Sequence, residues 1–261
     1  MKILITGSNG YVATSLIPFL QKDNELVKTN RQNLDLKNEK DVDLFFARNG
    51  FFDAVIHTAV EGGSRLKKDS SEILDNNLNY YYNLEKNKRN YNKFIHFGSG
   101  AEIYNNDSYY GLSKKVIRES MLYKKNFFNI RIFGVFDDNE LPTRFIKKSI
   151  TNYINKKPIE IHEDKKMDFF YMKDLISLVN FYLKSSDPLK EIDCCYDYSY
   201  SLSHIAQYIN SLSDHEVDIV NHEKKAKDYI GEYKNLNIDY KGLKRGIKET
   251  FDRISATLKY N

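Results

Sequence analysis

Short apolar runs alternate with longer amphipathic stretches through the first half of the chain. Ile3-Leu4-Ile5-Thr6 reads as a strand, and Leu16, Ile17 and Leu20 follow at helical spacing. Glu25 to Lys28 reads as a second strand, Val42 to Arg48 as a second helix, and Phe52 to His57 as a third strand running into Thr58 and Ala59. Ser71 to Lys88 has helical length, with Ile73, Leu78, Tyr81 and Leu84 on its apolar side. A fourth strand over Phe94 to Phe97, a helix over Ser113 to Tyr123 and a fifth strand over Phe128 to Phe133 continue the series. Strands separated by helices cannot close as hairpins and need crossover connections. The pattern predicts an α/β fold with a doubly wound parallel sheet.

Beyond Gly134 the pattern becomes irregular. Asp137 to Pro142 reads as a loop, Arg144 to Tyr153 as a helix, Lys157 to Ile161 as a short strand and Leu175 to Leu183 as a helix. The last sixty residues hold two or three further helices. Residues 1–134, joined by about 166–185, are expected to form the sheet domain, and 135–261 mainly a smaller C-terminal lobe. The chain carries no internal repeat and no obvious linker.

Composition narrows the function classes. The 261 residues suffice to bury a core without a disulfide or metal staple. Forty basic against 36 acidic side chains leave a net charge of +4, too mild to argue for nucleic acid. Cys194 and Cys195 are adjacent, which suits neither a disulfide framework nor a zinc site. The opening apolar run stops after Ile5, short of a signal peptide, and no segment approaches the roughly 20 apolar residues of a membrane span. A cytoplasmic protein without metal or membrane partner is expected.

Gly7-Ser8-Asn9-Gly10-Tyr11-Val12-Ala13 lies between the first strand and the first helix. Glycine permits a tight turn and lets backbone approach a pyrophosphate, which places Gly7, Asn9, Gly10, Tyr11 and Val12 against a dinucleotide. The second strand ends Lys28-Thr29-Asn30-Arg31, without the acid that binds an NAD ribose. Arg31 would instead welcome a 2′-phosphate, and Asp35 is placed to reach an adenine amino group, so NADP(H) is the expected cofactor.

Tyr-x-x-x-Lys puts a phenol and an ammonium on one helical face, where the cation can lower the phenol's pKa. The spacing occurs at Tyr82/Lys86, Tyr110/Lys114, Tyr153/Lys157 and Tyr240/Lys244, so spacing alone decides nothing. Only Tyr110 and Lys114 open the helix between the fourth and fifth strands, where active sites of open sheets collect.

Thr6-Gly7-x-x-Gly10-x-x-Ala13, the helix of Asn77, Phe97-Gly98-Ser99, Tyr110-Gly111-Leu112-Ser113-Lys114 and the run Met167 to Asp174 together resemble the extended short-chain dehydrogenase/reductases that act on nucleotide sugars. Within that family, Thr29 to Leu36 and His57 to Gly63 look most like the GDP-fucose synthase branch. The chain's size is nearer the CDP-paratose and abequose type of 4-reductase. The resemblance implies a Rossmann domain and adds Leu36, Thr58, Ala59 and Asn77 to the cofactor contacts. It makes Tyr110 the general acid, with Lys114 holding the nicotinamide ribose. The family's catalytic hydroxyl falls on Ser99 counting from the fourth strand, and on Gly100, which has none, counting back from Tyr104. Gly100, Ala101, Glu102 and Arg144 become candidate contacts to a nucleotide-diphosphate sugar.

The implied activity is NADPH-dependent reduction of the C4 keto group of a nucleotide-linked 4-keto-6-deoxy sugar, in surface polysaccharide sugar biosynthesis. C3/C5 epimerisation is not expected, because the Cys position holds Ala101 or Glu102 and no His occurs from Asp137 to Phe145. The alternatives are an NAD-dependent 4-epimerase and a nucleotide-sensing protein without turnover. A 4,6-dehydratase is disfavoured by Ala101 in place of an acid. The chain departs from the family in its short connection from Tyr104 to Tyr110 and in Met167, where an Arg is usual. A homodimer is implied through the helices at Ser71 to Lys88 and Ser113 to Tyr123, with Tyr80, Tyr81 and Tyr82 as apolar candidates for the interface.

Overall fold

Ile3, Leu4 and Ile5 are fully buried, as in a strand covered on both faces. They lie on β1 (Lys2–Thr6) of the structure, a computed structural model that describes residues 1–64 and 67–259. The chain continues through α1 (Tyr11–Leu20), β2 (Glu25–Thr29), α2 (Glu39–Asn49), β3 (Phe52–His57), α3 (Ser71–Lys86), β4 (Tyr91–Ser99), α4 (Ala101–Tyr104), α5 (Tyr109–Met121) and β5 (Phe127–Ile132). Then come β6 (Val135–Phe136), α6 (Phe145–Ile154), β7 (Ile159–Asp164), β8 (Phe170–Tyr171), α7 (Met172–Lys184), β9 (Glu191–Cys194), α8 (Leu202–Asn210), β10 (Ile219–Lys225) and α9 (Leu243–Lys259).

The central sheet has six strands in the order β2-β1-β3-β4-β5-β9, with β1 parallel to β2 and β3, and β3 parallel to β4. This is the doubly wound, Rossmann-like α/β sheet that the alternation predicts. The chain divides into a first unit of Met1–Arg131 with Val179–Ile192 and a second of Ile132–Leu178 with Asp193–Asn261. The segment returning to the sheet unit is thus 179–192 in place of about 166–185. The Asn129 amide donates to the Lys190 carbonyl, which seats the chain leading into β9 beside β5.

In the first unit Phe46, Phe52, Tyr81, Tyr91 and Phe94 pack as one cluster, with Phe94 stacked on Phe127 at 4.9 Å. Helix starts follow side-chain caps. The Asn38 side chain accepts from the amides of Lys40 and Asp41, so α2 begins at Glu39 rather than Val42. Ser108 Oγ accepts from the Gly111 amide at 3.0 Å, so α5 begins at Tyr109, ahead of the expected Ser113. The same cap sets Tyr110 in the first turn.

In the second unit Phe136, Ile150, Tyr153, Ile161, Ile205 and Ile247 form the core. Its β7 pairs in parallel with β10, a strand that the sequence pattern did not predict because it turns polar after Val220. Among the described residues the last sixty positions therefore hold two helices and this strand. Asp168 and Asp174 of the Met167 to Asp174 run serve the backbone: Asp168 accepts from the Gly231 amide, and Asp174 from the amides of Lys241 and Gly242. Burial raises both carboxyls above their ordinary range, against these hydrogen bonds.

Candidate active site

The strand order reverses between β1 and β3, and their carboxyl ends part to form a crevice, where open α/β sheets take ligands. A cavity of about 540 Å³ lies there. The β1–α1 turn lines it with Gly7, Asn9, Gly10, Tyr11 and Val12. Arg31, Asp35 and Leu36 line it from the segment after β2, and Thr58, Ala59 and Val60 from the segment after β3. Gly7 has φ +65°, and a Cβ there would lie 2.6 Å from the Ala59 Cα, so only glycine permits the approach of the two turns. Gly10 caps α1 without a side-chain acceptor, which leaves first-turn N–H groups for an anion. This cradle fits a dinucleotide pyrophosphate. Thr58 Oγ1 is already committed, donating to the Thr6 carbonyl at 2.6 Å.

The cavity-lining Arg31 pairs with Glu61 at 2.8 Å. The Glu61 carboxylate also accepts from Tyr80 Oη at 2.5 Å and Asn76 Nδ2 at 2.9 Å. Burial alone would raise this carboxyl, but the bonds from Tyr80 and Asn76, with Arg31 beside it, hold it below the usual carboxylate range.

The second cluster stands at the end of β4. Lys114, on the fifth helix, is 4% exposed and donates from Nζ to the Phe97 carbonyl at 2.6 Å. Burial lowers its pKa to about 8, opposed by the charge of Glu102. Its Nζ lies 5.8 Å from the centre of the Tyr110 ring. Gly63, with φ +70°, passes over that ring so closely that a Cβ would come within 2.9 Å of it. Ser99 ends β4, half-buried, its Oγ accepting from the Ala101 amide at 3.2 Å. One strand end and one helix start thus present a hydroxyl, a phenol and an ammonium in one region of the first unit.

Residues 3–194 match the model of the NAD dependent epimerase/dehydratase family. The chain belongs to that family. It is an NAD(P)-dependent oxidoreductase of the extended short-chain dehydrogenase/reductase type. A CDP-abequose synthase of Yersinia pseudotuberculosis is 22% identical over 269 residues, covering 90% of this chain and 94% of the relative. A GDP-mannoheptose C4 reductase from Campylobacter jejuni with NADP bound shares the fold with a TM-score of 0.76 at 18% identity, covering 97% of this chain and 98% of its own. A UDP-glucose 4-epimerase from Thermus thermophilus in complex with NAD superposes with a TM-score of 0.75 at 16% identity, covering 97% and 98%.

Measured against family expectations, several residues do other work. Asn77 is 2% exposed, and its amide bonds to the Glu61 backbone and Ser113 Oγ, so it positions the loop of Glu61. Glu102 is turned into the first unit. Its carboxylate accepts from the Ser99 amide at 2.8 Å and lies 3.4 Å from Arg131 Nε, with 1% of the side chain exposed. Gly100 and Ala101 are buried beside it, because the short α4 folds the chain inward and leaves Ile103 and Tyr104 as its exposed face. Arg144 is exposed at the N-cap of α6, in the second unit.

The other Tyr-x-x-x-Lys pairs have structural partners. Lys86 pairs with Glu39, Tyr153 Oη donates to the His215 carbonyl, and Lys244 lies over the Tyr200 ring. Tyr80 and Tyr81 are buried within their own unit, so of the three adjacent tyrosines only Tyr82, 37% exposed, reaches the surface. Sequence reasoning missed Glu61, Tyr80 and Gly63. The placement of Asn76 and Tyr80 one helical turn apart on α3 is a usable signal for a shared partner, but the partner comes from a loop. Among the described residues no group of acids, histidines or cysteines is placed to hold a metal, and no helix is long and apolar enough to cross a membrane.

Proposed function

We propose that the protein is an NADPH-dependent reductase of the C4 keto group of a nucleotide-linked 4-keto-6-deoxy sugar, serving surface polysaccharide synthesis. The observation that carries the reading is Arg31 on the cavity wall where an NAD-binding chain would end β2 in an acid. NADPH suits a net reduction, whereas an epimerase returns its hydride and gains nothing from a 2′-phosphate. The CDP-abequose synthase relative and the C4 reductase neighbour support a nucleotide-sugar substrate.

When bound, the nicotinamide supplies the hydride for C4. As the carbonyl's electron pair moves onto oxygen, Tyr110 gives that oxygen its phenolic proton. Ser99 Oγ, at the end of β4, donates a hydrogen bond to the same oxygen. Lys114 favours the phenolate left on Tyr110 and is itself oriented by the Phe97 carbonyl. Burial of Glu102 against Arg131 removes the one carboxylate of α4 that could act as a base on C3 or C5. In this reading the enzyme is a dimer through α3 and α5, which light scattering at micromolar concentration checks.

The test is turnover of 4-keto-6-deoxy sugar nucleotides with NADPH carrying deuterium at its hydride position. Deuterium at C4 of the product, one NADP formed per sugar reduced, and protium at C3 and C5 when the reaction runs in D2O are expected. Interconversion of C4 epimers without net NADPH consumption would establish the epimerase instead.

A further inference from the structure

Arg31 lines the cavity from the segment after β2, Glu61 follows the lining residue Val60 in the segment after β3, and the two side chains meet. The two sides of this pair are held very differently. Arg31 has 76% of its side chain exposed, and Glu61 only 20%. Glu61 is also anchored twice over. Its backbone N–H donates to Asn77 Oδ1 at 2.8 Å and its carbonyl accepts from Asn77 Nδ2 at 3.0 Å. Its carboxylate is held by Tyr80 Oη and Asn76 Nδ2 as well as by Arg31. Losing Arg31 leaves Glu61 with two hydrogen-bond donors; losing Glu61 leaves Arg31 in solvent. The mobile partner is therefore the guanidinium, and the fixed one is an anion.

Resting on the reading of this cleft as a site for a 2′-phosphorylated dinucleotide, we infer that Glu61 is a specificity-determining residue that competes with the ligand's 2′-phosphate for Arg31. One edge of a guanidinium holds one anion at a time in its best geometry, and the edge of Arg31 that carries Nη2 is the one in use. In the ligand-free protein that anion is the Glu61 carboxylate. A 2′-phosphate must take Arg31 from it, and then sits in the field of a carboxylate that Tyr80 and Asn76 keep in place. A ligand with a free 2′-hydroxyl meets neither cost. Glu61 thus narrows the preference that Arg31 creates, and the two residues set the discrimination together.

Calorimetry on the whole chain with 2′,5′-ADP and 5′-AMP tests this without any turnover, because these probes differ only in the 2′-phosphate. Glu61→Gln is expected to tighten 2′,5′-ADP by about threefold to tenfold and to change 5′-AMP by less than about twofold, since an exposed ion pair is a modest competitor. Arg31→Ala is expected to weaken 2′,5′-ADP, and Glu61→Gln added to it should give a clearly smaller gain, because only the carboxylate's field on the phosphate is then removed. Glu61→Ala replaces the glutamine variant if that one does not fold, since Asn77 holds the backbone in either case. An unchanged or weakened 2′,5′-ADP affinity in the Glu61 variants would overturn the inference, as would an equal gain in the Arg31→Ala background. Equal binding of both probes to the native protein, unaltered by Arg31→Ala, is a separate result: it defeats the NADPH reading itself.

Discussion

Lys114 points its ammonium at the Phe97 carbonyl, 2.6 Å away, from a position with 4% of its surface exposed. A buried ammonium pays for lost hydration, and its pKa falls to about 8. The folded protein therefore holds this proton less tightly than the unfolded chain, whose lysine titrates near 10.5. The penalty is largest below about pH 8 and fades as pH rises from there toward 10.5. Lys114→Met should accordingly raise unfolding free energy at pH 7 by roughly 2–3 kcal/mol and by much less at pH 10.5. Lysine-labelled NMR of the ligand-free protein should show one midpoint near 8 that is missing in this variant. A lowest midpoint above 10 would rule the assignment out.

Glu102 raises the pKa of Lys114 and pins the Ser99 amide. Replacing it by alanine leaves Arg131, with 6% of its side chain exposed, without its buried anion. Removal of one member of a buried pair typically costs about 3–5 kcal/mol, and the second carboxylate near Arg131, that of Glu191, lessens this to roughly 2–4 here. Turnover should fall through misplacement of Ser99 while KM for the sugar nucleotide changes little. Denaturant titration and steady-state kinetics measure both. A raised KM with unchanged stability would return Glu102 to the substrate contacts.

Tyr110→Phe removes only the phenolic oxygen. We expect turnover to fall by roughly a hundredfold or more, the usual scale for a lost general acid, with NADPH affinity unchanged by calorimetry. Near-normal turnover would end the assignment.

Gly63 has φ +70°, its amide donates to Asp69 Oδ1 at 3.1 Å, and a Cβ would press on the Tyr110 ring. Gly63→Ala should cost about 1–2 kcal/mol in backbone strain and lower turnover at least tenfold by displacing the phenol. Thermal denaturation and kcat are the readouts. A variant with wild-type kcat would show that the glycine loop does not hold Tyr110 in register.

Much of this architecture is readable from local order along the chain. β3 spans Phe52–His57, as its apolar run indicates, and the alternation of strands and helices is enough for a parallel sheet. Gly7 and Gly10 announce the cleft because a tight turn between strand and helix demands them wherever the rest of the chain goes. Helix boundaries were less legible. A cap such as Ser108 is one polar residue among several in Asn105 to Ser108, and only the folded loop shows which hydroxyl reaches an amide.

Residues whose roles depend on distant partners were not legible at all. Glu61 and Arg31 are thirty positions apart and meet only because β2 and β3 flank β1. Asn77 and Glu102 have the chemistry of ligand contacts, yet both are spent inside the first unit, on the Glu61 backbone and on Ser99 and Arg131. Periodicity and turn chemistry act between near neighbours, so they decide strands, helices and the glycine turn from sequence order. Which anion a guanidinium meets, and whether a carboxylate faces a cleft or a buried arginine, depends on desolvation and distance after the strands have paired. That choice belongs to the tertiary structure.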